Sequence, residues 1–463
     1  MPPISAGSDR SLRLWACLGL GGSVLVALAG PHLAGGPVRW WFDPSLGAAA
    51  LYAGIVALCA AWLALGRVAV TTGQMRIVGA AWCLPLLITA PLFSQDAYSY
   101  LAQGTLVHLG IDPYTHAPAA LARTGQAHVL GAVDPFWRHT TAPYGPLFLW
   151  IVSGIVALTG AHLIGGVLLI RVLDAAGLVL LAVFAPRIAR ALGADTARAT
   201  WWVLSPLVLL ELVAAVHNDL LMIGLVVAGV TFAIERRVLV GIALCALAAT
   251  IKLPAAAAIP FILVAYGDRG TWSRGVLVAG VVVLAVSAVT GLGLGWISTT
   301  VFSTPDKARL AITPATALGW TVAQVVPVAA RGLESALGVA AFGLSLVLGA
   351  ALLWRTRRDN MVCNLGIALI AVAVCGPAAW PWYLTWGLVM LAACPGIQDS
   401  RALAVAVVAS VFGVKADGIL AFPLHTAPVF VVLYVAAAAT VVLVAWRRRP
   451  AVRTARLRPL AGS

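Results

Sequence analysis

Apolar runs close to the ~20 residues that an α-helix needs to cross a bilayer recur along the whole chain, each closed by Gly, Pro or charged residues. Inside a bilayer only helices and closed barrels satisfy every backbone N–H and C=O. Spans are therefore predicted near 14–30, 47–65, 77–93, 165–186, 199–215, 220–234, 238–251, 254–266 and 273–293, with four or five more after 334. The pattern predicts an all-α polytopic membrane protein of about 13 to 14 transmembrane helices, with one integral domain over 1–446 and a basic cytoplasmic tail over 447–463. Two polar stretches, 94–164 and 294–334, interrupt the spans and read as outer loops. The first run follows Arg10 and Arg13 like a signal peptide. No small-x-small cleavage site follows, and more spans come at once, so it reads as an uncleaved first helix.

Composition narrows this further. The chain is 62% hydrophobic and 10% charged, against roughly a quarter charged in a soluble domain. A net charge of +14 in a soluble protein would suggest nucleic acid. Here the basic residues sit at the ends of spans, where the positive-inside rule accounts for them, so no nucleic-acid partner is expected. With the N-terminus in the cytoplasm, the clusters at Arg187, Arg190 and Arg198, at Arg236 and Arg237, and at Arg447 to Arg449 all fall inside. This places a multi-pass protein in the plasma membrane with both termini cytoplasmic and the active site on the outer face. The register requires that Gly145–Gly160 lie along the outer surface without crossing. None of the seven cysteines forms a CxxC pair, so neither a disulfide framework nor a zinc site is signalled. No phosphate-binding loop, dinucleotide fingerprint, HExxH or GxSxG motif is present.

The candidate chemistry lies at the outer ends of the spans. Only 16 residues are acidic, yet Asp96, Asp112 and Asp134 share one loop. Asp96 opens the loop and suits a general base acting on a hydroxyl; the plain alternative is an N-cap for a helix over 97–109. Tyr98, Tyr100 and Tyr114 bring rings suited to sugar stacking, and Tyr144 follows in an Ala-Pro-Tyr-Gly-Pro turn. Asp112-Pro113 is equally a turn starter. Asp134, Trp137, Arg138 and His139 combine a carboxylate, a ring and two phosphate donors, or form a loop anchored at the interface. His217, Asn218 and Asp219 end an apolar span that carries Glu211, and polar groups clustered there point to function or to capping. Lys252, alone in an apolar run, either snorkels or holds a lipid phosphate. Arg171 and Asp174, at i and i+3, read as an internal ion pair. Trp380, Trp382, Tyr383 and Trp386 read as an interfacial belt or a groove wall.

Taken together, Asp96-Ala97-Tyr98-Ser99-Tyr100-Leu101-Ala102-Gln103-Gly104, Gly110-x-Asp112-Pro113-Tyr114, Asp134-Pro135-x-Trp137-Arg138 and Ala142-Pro143-Tyr144-Gly145-Pro146-Leu147 resemble the actinobacterial polyprenol-phosphate-mannose-dependent α-1,6-mannosyltransferases. His217-Asn218-Asp219 and Pro381-Trp382-Tyr383 are similar to that group as well. The resemblance covers most of the chain. It implies the multi-span GT-C glycosyltransferase fold, a catalytic Asp at Asp96, a second acidic motif at Asp219, and a surface-lying helix over 145–160. It also implies a polyprenyl phosphate-mannose donor, a mannan-type glycolipid acceptor such as a lipomannan chain, and inversion at the anomeric carbon. No cofactor is required by this scheme, although Asp96 with Asp219 could hold a divalent cation. One alternative is a GT-C enzyme using another polyprenyl-phosphate sugar such as arabinose; a rival of another class is a flippase for a lipid-linked sugar, which would share the lipid groove and basic clusters but need no catalytic carboxylate.

Overall fold

Among the described residues the regular elements are all helical, and the only β feature is an isolated antiparallel bridge between Val414 and Leu420. The structure, a computed structural model, describes residues 6–34, 44–303, 313–326, 330–376 and 379–436. The expected tail 447–463 and the middle of the expected second outer loop lie outside those residues.

Among the described residues six helices are long and apolar enough to cross a membrane, and they are accompanied by shorter apolar helices of 10–17 residues. Two of the long ones, Arg269–Thr290 and Gly332–Trp354, turn nearly all of their apolar surface outward. That is the arrangement expected of helices whose neighbour is lipid.

The first part of the chain forms α1 (Ala6–Leu33), α2 (Pro44–Leu65), α3 (Thr72–Ile88), α4 (Asp96–His108), α5 (Ala127–Ala132), α6 (Pro146–Thr159) and α7 (Leu163–Ala191). Helix α3 begins and ends about five residues before the predicted 77–93. A capping box fixes its start, with the Thr71 side chain accepting from the Gln74 N–H and Gln74 returning the bond. Pro91 disfavours helical geometry before it, and an irregular stretch with Phe93 in left-handed backbone then delivers Asp96 to the start of α4. Helix α6 is about 21 Å long at 1.5 Å per residue, short of the ~30 Å hydrocarbon core. It packs its Phe148, Leu149 and Val152 face inward and leaves Trp150 and Leu158 exposed.

Next come α8 (Thr196–Val203), the single turn α9 (Pro206–Val208), a π-helical turn (Leu209–Ala214), α10 (Asp219–Ile234) and α11 (Val238–Ala249). The single span predicted over 199–215 is thus broken at Pro206 and widened into a π turn just before His217. Such turns are rare and occur mostly at functional sites. The sequence signals no disulfide, yet Cys363 and Cys394 are bonded to each other.

The loop before α6 docks on the turn after α11. The Gly145 N–H donates to the Ile251 carbonyl at 2.9 Å, and the Leu147 N–H to Thr250 at 3.1 Å. A Cβ on Gly145 would run into the Thr250 carbonyl. Gly145→Ala is therefore expected to cost about 1–3 kcal/mol through overpacking and to loosen Tyr144, measured as a lower thermal midpoint in detergent. An unchanged midpoint would show that the turn is not tightly docked.

Candidate active site

The polar helix ends converge at one end of the bundle. Asp96 occupies the first turn of α4, but its carboxylate makes no capping bond. Gln95 is the N-cap residue but makes no side-chain capping bond, its amide donating to the Ala34 carbonyl at 3.0 Å, and the Asp96 N–H donates to Ser94 Oγ at 3.1 Å. The capping alternative is thereby removed, and the carboxylate faces a cleft of about 350 Å³.

Phe136, Trp137, Trp380 and Trp382 form aromatic walls around that cleft, with Asp134 and Asp417 beside it. Trp380 stacks on Trp382 at 4.8 Å, and Trp382 stacks on His217 at 4.2 Å. His217 is fully buried, and its Nδ1 lies 2.5 Å from the Glu211 carbonyl oxygen. A carbonyl only accepts, so Nδ1 carries the proton and, in the neutral ring, Nε2 keeps its lone pair. That Nε2 points at Asp96 Oδ2 from 3.6 Å.

Burial pushes the Asp96 carboxyl above the usual carboxylate range, against the charges of His217 and Lys252. Burial also pushes the His217 imidazole below its ordinary value, with Asp96 and Asp219 pulling the other way. The two groups titrate as a pair. The neutral ring is the form favoured by complete burial, which outweighs the pull of the Asp96 and Asp219 carboxylates.

Beneath the cleft lies a second cluster. Lys252, between α11 and the following 3-10 turn, donates to both oxygens of Asp219 at 2.9 and 2.8 Å. Trp386 Nε1 donates to Asp219 Oδ1 at 2.6 Å. Tyr383 and Trp386 stack at 4.4 Å, and with Tyr144 their rings lie within 4.6 to 6.0 Å of the ammonium. Burial pulls the Lys252 ammonium down, but the charge and hydrogen bonds of Asp219 outweigh it, so Lys252 is held above its ordinary value and stays charged. Asn218 is buried with neither amide atom hydrogen-bonded.

The sequence candidates divide sharply. Asp96, Trp137, Asp134 and Trp382 share the cleft, while Asp219, Lys252, Tyr144 and Tyr383 form the buried cluster, with His217 reaching Asp96 and stacking on Trp382. Asp112 is a turn residue, accepting from the Tyr114 N–H at 2.8 Å, and Asp134 does the same for Phe136. Tyr98, Tyr100 and Tyr114 are buried rather than offered for stacking. Tyr100 packs edge-on against Tyr144 and Phe148, and the Tyr114 hydroxyl donates to the Tyr144 carbonyl. Arg138 spends its guanidinium on the carbonyls of Val133 and Gly131 in its own loop, and His139 is exposed and does not line the cleft.

The expected Arg171–Asp174 ion pair does not form. Arg171 bonds four backbone carbonyls instead, and both Asp174 oxygens lack a hydrogen bond. Asp417 escaped notice in the sequence. Its signal was a polar break, Lys415-Ala416-Asp417-Gly418, between two apolar runs.

Residues 13–268 match the family model described as alpha-(1->6)-mannopyranosyltransferase, N-terminal domain, and residues 315–448 match the MptB C-terminal domain. The chain is 33% identical over 438 residues to alpha-(1->6)-mannopyranosyltransferase A of Mycobacterium tuberculosis, covering 84% of this chain and 81% of that one. It is 32% identical over 488 residues to a probable alpha-(1->6)-mannopyranosyltransferase of Mycolicibacterium smegmatis, covering 90% and 85%. A Corynebacterium glutamicum alpha-(1->6)-mannopyranosyltransferase A is 34% identical over 285 residues, 54% of this chain and 57% of that one. No solved structure matches.

Proposed function

The chain belongs to the alpha-(1->6)-mannopyranosyltransferase family, and from that premise we propose that it moves mannose from a polyprenyl phosphate-mannose to the 6-hydroxyl of an α-1,6-mannan-type glycolipid. The observation that carries this reading is a carboxylate freed from capping, Asp96, at the floor of an aromatic-walled cleft and above a buried, charged lysine.

In this reading the acceptor mannose stacks on the Trp137, Trp380 and Trp382 walls and offers its hydroxyl to Asp96. Asp96 takes the proton as the hydroxyl oxygen attacks the anomeric carbon. The bond from that carbon to the phosphate oxygen breaks, and a β-linked donor gives an α-linked product. Lys252 has two N–H groups on Asp219 and a third for a phosphate oxygen, so it would stabilise the departing anion. Arg138 and His139 take no part, since both are engaged away from the cleft or outside it. The Nε2 lone pair of His217 is placed to receive the proton from Asp96 afterwards. Both oxygens of Asp219 are committed to Lys252 and Trp386, a poor start for a cation site, and the described residues hold no group of three or more His, Cys, Asp or Glu suited to a metal. The scheme routes no step through a metal. The site faces the outer leaflet, with both termini cytoplasmic.

The test is transfer of radiolabelled mannose from polyprenyl phosphate-mannose to a short α-1,6-mannoside by the reconstituted protein, with and without EDTA and across pH. We expect α-1,6 product that is insensitive to EDTA. The base must be ionised, so activity should fall as pH drops through the raised Asp96 value, placing the acid limb above the ~3.9 of an ordinary Asp. A strict cation requirement would overturn the metal-free scheme. Donor binding without any transfer would favour a flippase.

A further inference from the structure

We propose that Arg171 is a positioning residue whose guanidinium holds the Asp96 and His217 segments in register. Arg171 is buried in α7 and does not line the cleft. Its Nη1 donates to the carbonyls of Leu86 at 2.6 Å and Val213 at 2.8 Å, and its Nη2 to Thr89 at 2.8 Å and Ala214 at 3.3 Å. Leu86 and Thr89 are the last turn and C-cap of α3, which lead to Asp96. Val213 and Ala214 end the π turn, which leads to His217. Helix ends leave carbonyls without intrahelical partners and carry partial negative charge, so one cation can serve both ends. The planar guanidinium fork, with its fixed and divergent donors, is suited to four carbonyls on two elements in a way that a single ammonium with three donors is not.

The two segments are also bonded to each other and strained in the same way. The Leu92 N–H donates to the Ala214 carbonyl at 3.1 Å, the same oxygen that Arg171 reaches. Phe93 and Val216 then both adopt left-handed backbone, at φ 61° and 62°. Side chains rarely sit there, least of all β-branched ones, and such positions persist only when the surroundings over-determine them. Asp96 follows Phe93 by three residues and His217 follows Val216 by one. Arg171 is therefore the common anchor of two strained turns that aim the carboxylate and the imidazole at each other across 3.6 Å.

The kinetic arm of the test rests on the transferase reading; the exchange arm does not. In Arg171→Lys and Arg171→Met, amide hydrogen exchange in peptides covering 90–96 and 213–219 should accelerate together by tenfold or more, with α2 unchanged. Per folded molecule, kcat should fall at least thirtyfold while KM for the lipid donor moves less than threefold, and the acid limb of the pH profile should shift. Acceleration of one segment only, or unchanged exchange, would overturn the proposal, as would full kcat in a folded variant. Failure of both variants to fold would overturn it too, because Arg171 would then be a folding residue. Wild type without transferase activity would remove the function reading and leave the exchange result to decide this one.

Discussion

Asp96→Asn is expected to lower mannose transfer by about a thousandfold or more with little change in donor affinity, since a positioned general base contributes roughly 10²- to 10⁴-fold. The substitution keeps shape and removes only the capacity to take a proton. It should not unfold the protein: the carboxylate caps nothing, and a neutral amide is cheaper to bury than a charge. Stability within about 1 kcal/mol of wild type is therefore expected. Single-turnover transfer and equilibrium binding of tritiated polyprenyl phosphate separate the two effects. Transfer within threefold of wild type would remove Asp96 from the chemistry and move attention to Asp219. A flippase would tolerate the change, so the same variant discriminates between the two classes.

The sequence made the helices legible because lipid admits little else, and it made half of the site legible for a related reason. Asp96, His217, Asp219 and Lys252 are scarce polar residues at the ends of apolar runs, and keeping them there requires partners. What it hid was backbone. Arg171 and Asp174 stand at the right spacing for an ion pair, but the carbonyls of two helix ends offered Arg171 four acceptors, and no pairwise spacing rule sees those. The left-handed turns at Phe93 and Val216 carry no glycine to announce them. Tyr98 and Tyr100 fall on well-separated faces of α4, yet both are buried because neighbouring elements pack around most of that helix. The rings that do line the cleft come from segments far apart in sequence, Phe136 and Trp137 from one, Trp380 and Trp382 from a 3-10 turn, and Phe422 from a third.

Breaking the Lys252–Asp219 pair should separate stability from catalysis. Lys252→Met leaves the Asp219 carboxylate buried without its cation, and Asp219→Asn leaves the ammonium among rings; either single change should cost about 3–5 kcal/mol. The double variant Lys252→Met/Asp219→Asn removes both charges and should recover a good part of that loss, a coupling readable in a double-mutant cycle. Transfer should not recover, because in the proposed reaction the lysine also stabilises the departing phosphate. We expect the double variant to remain at least a hundredfold below wild type in kcat/KM. The pH dependence carries the same sign. Lys252 is held above its unfolded value, so the stabilisation from the pair is fully present below about 10.4, the unfolded value. The contribution of Lys252 is lost as pH rises through the higher folded value. A double variant that regained both stability and transfer would show that the pair is structural and that the donor phosphate is held elsewhere.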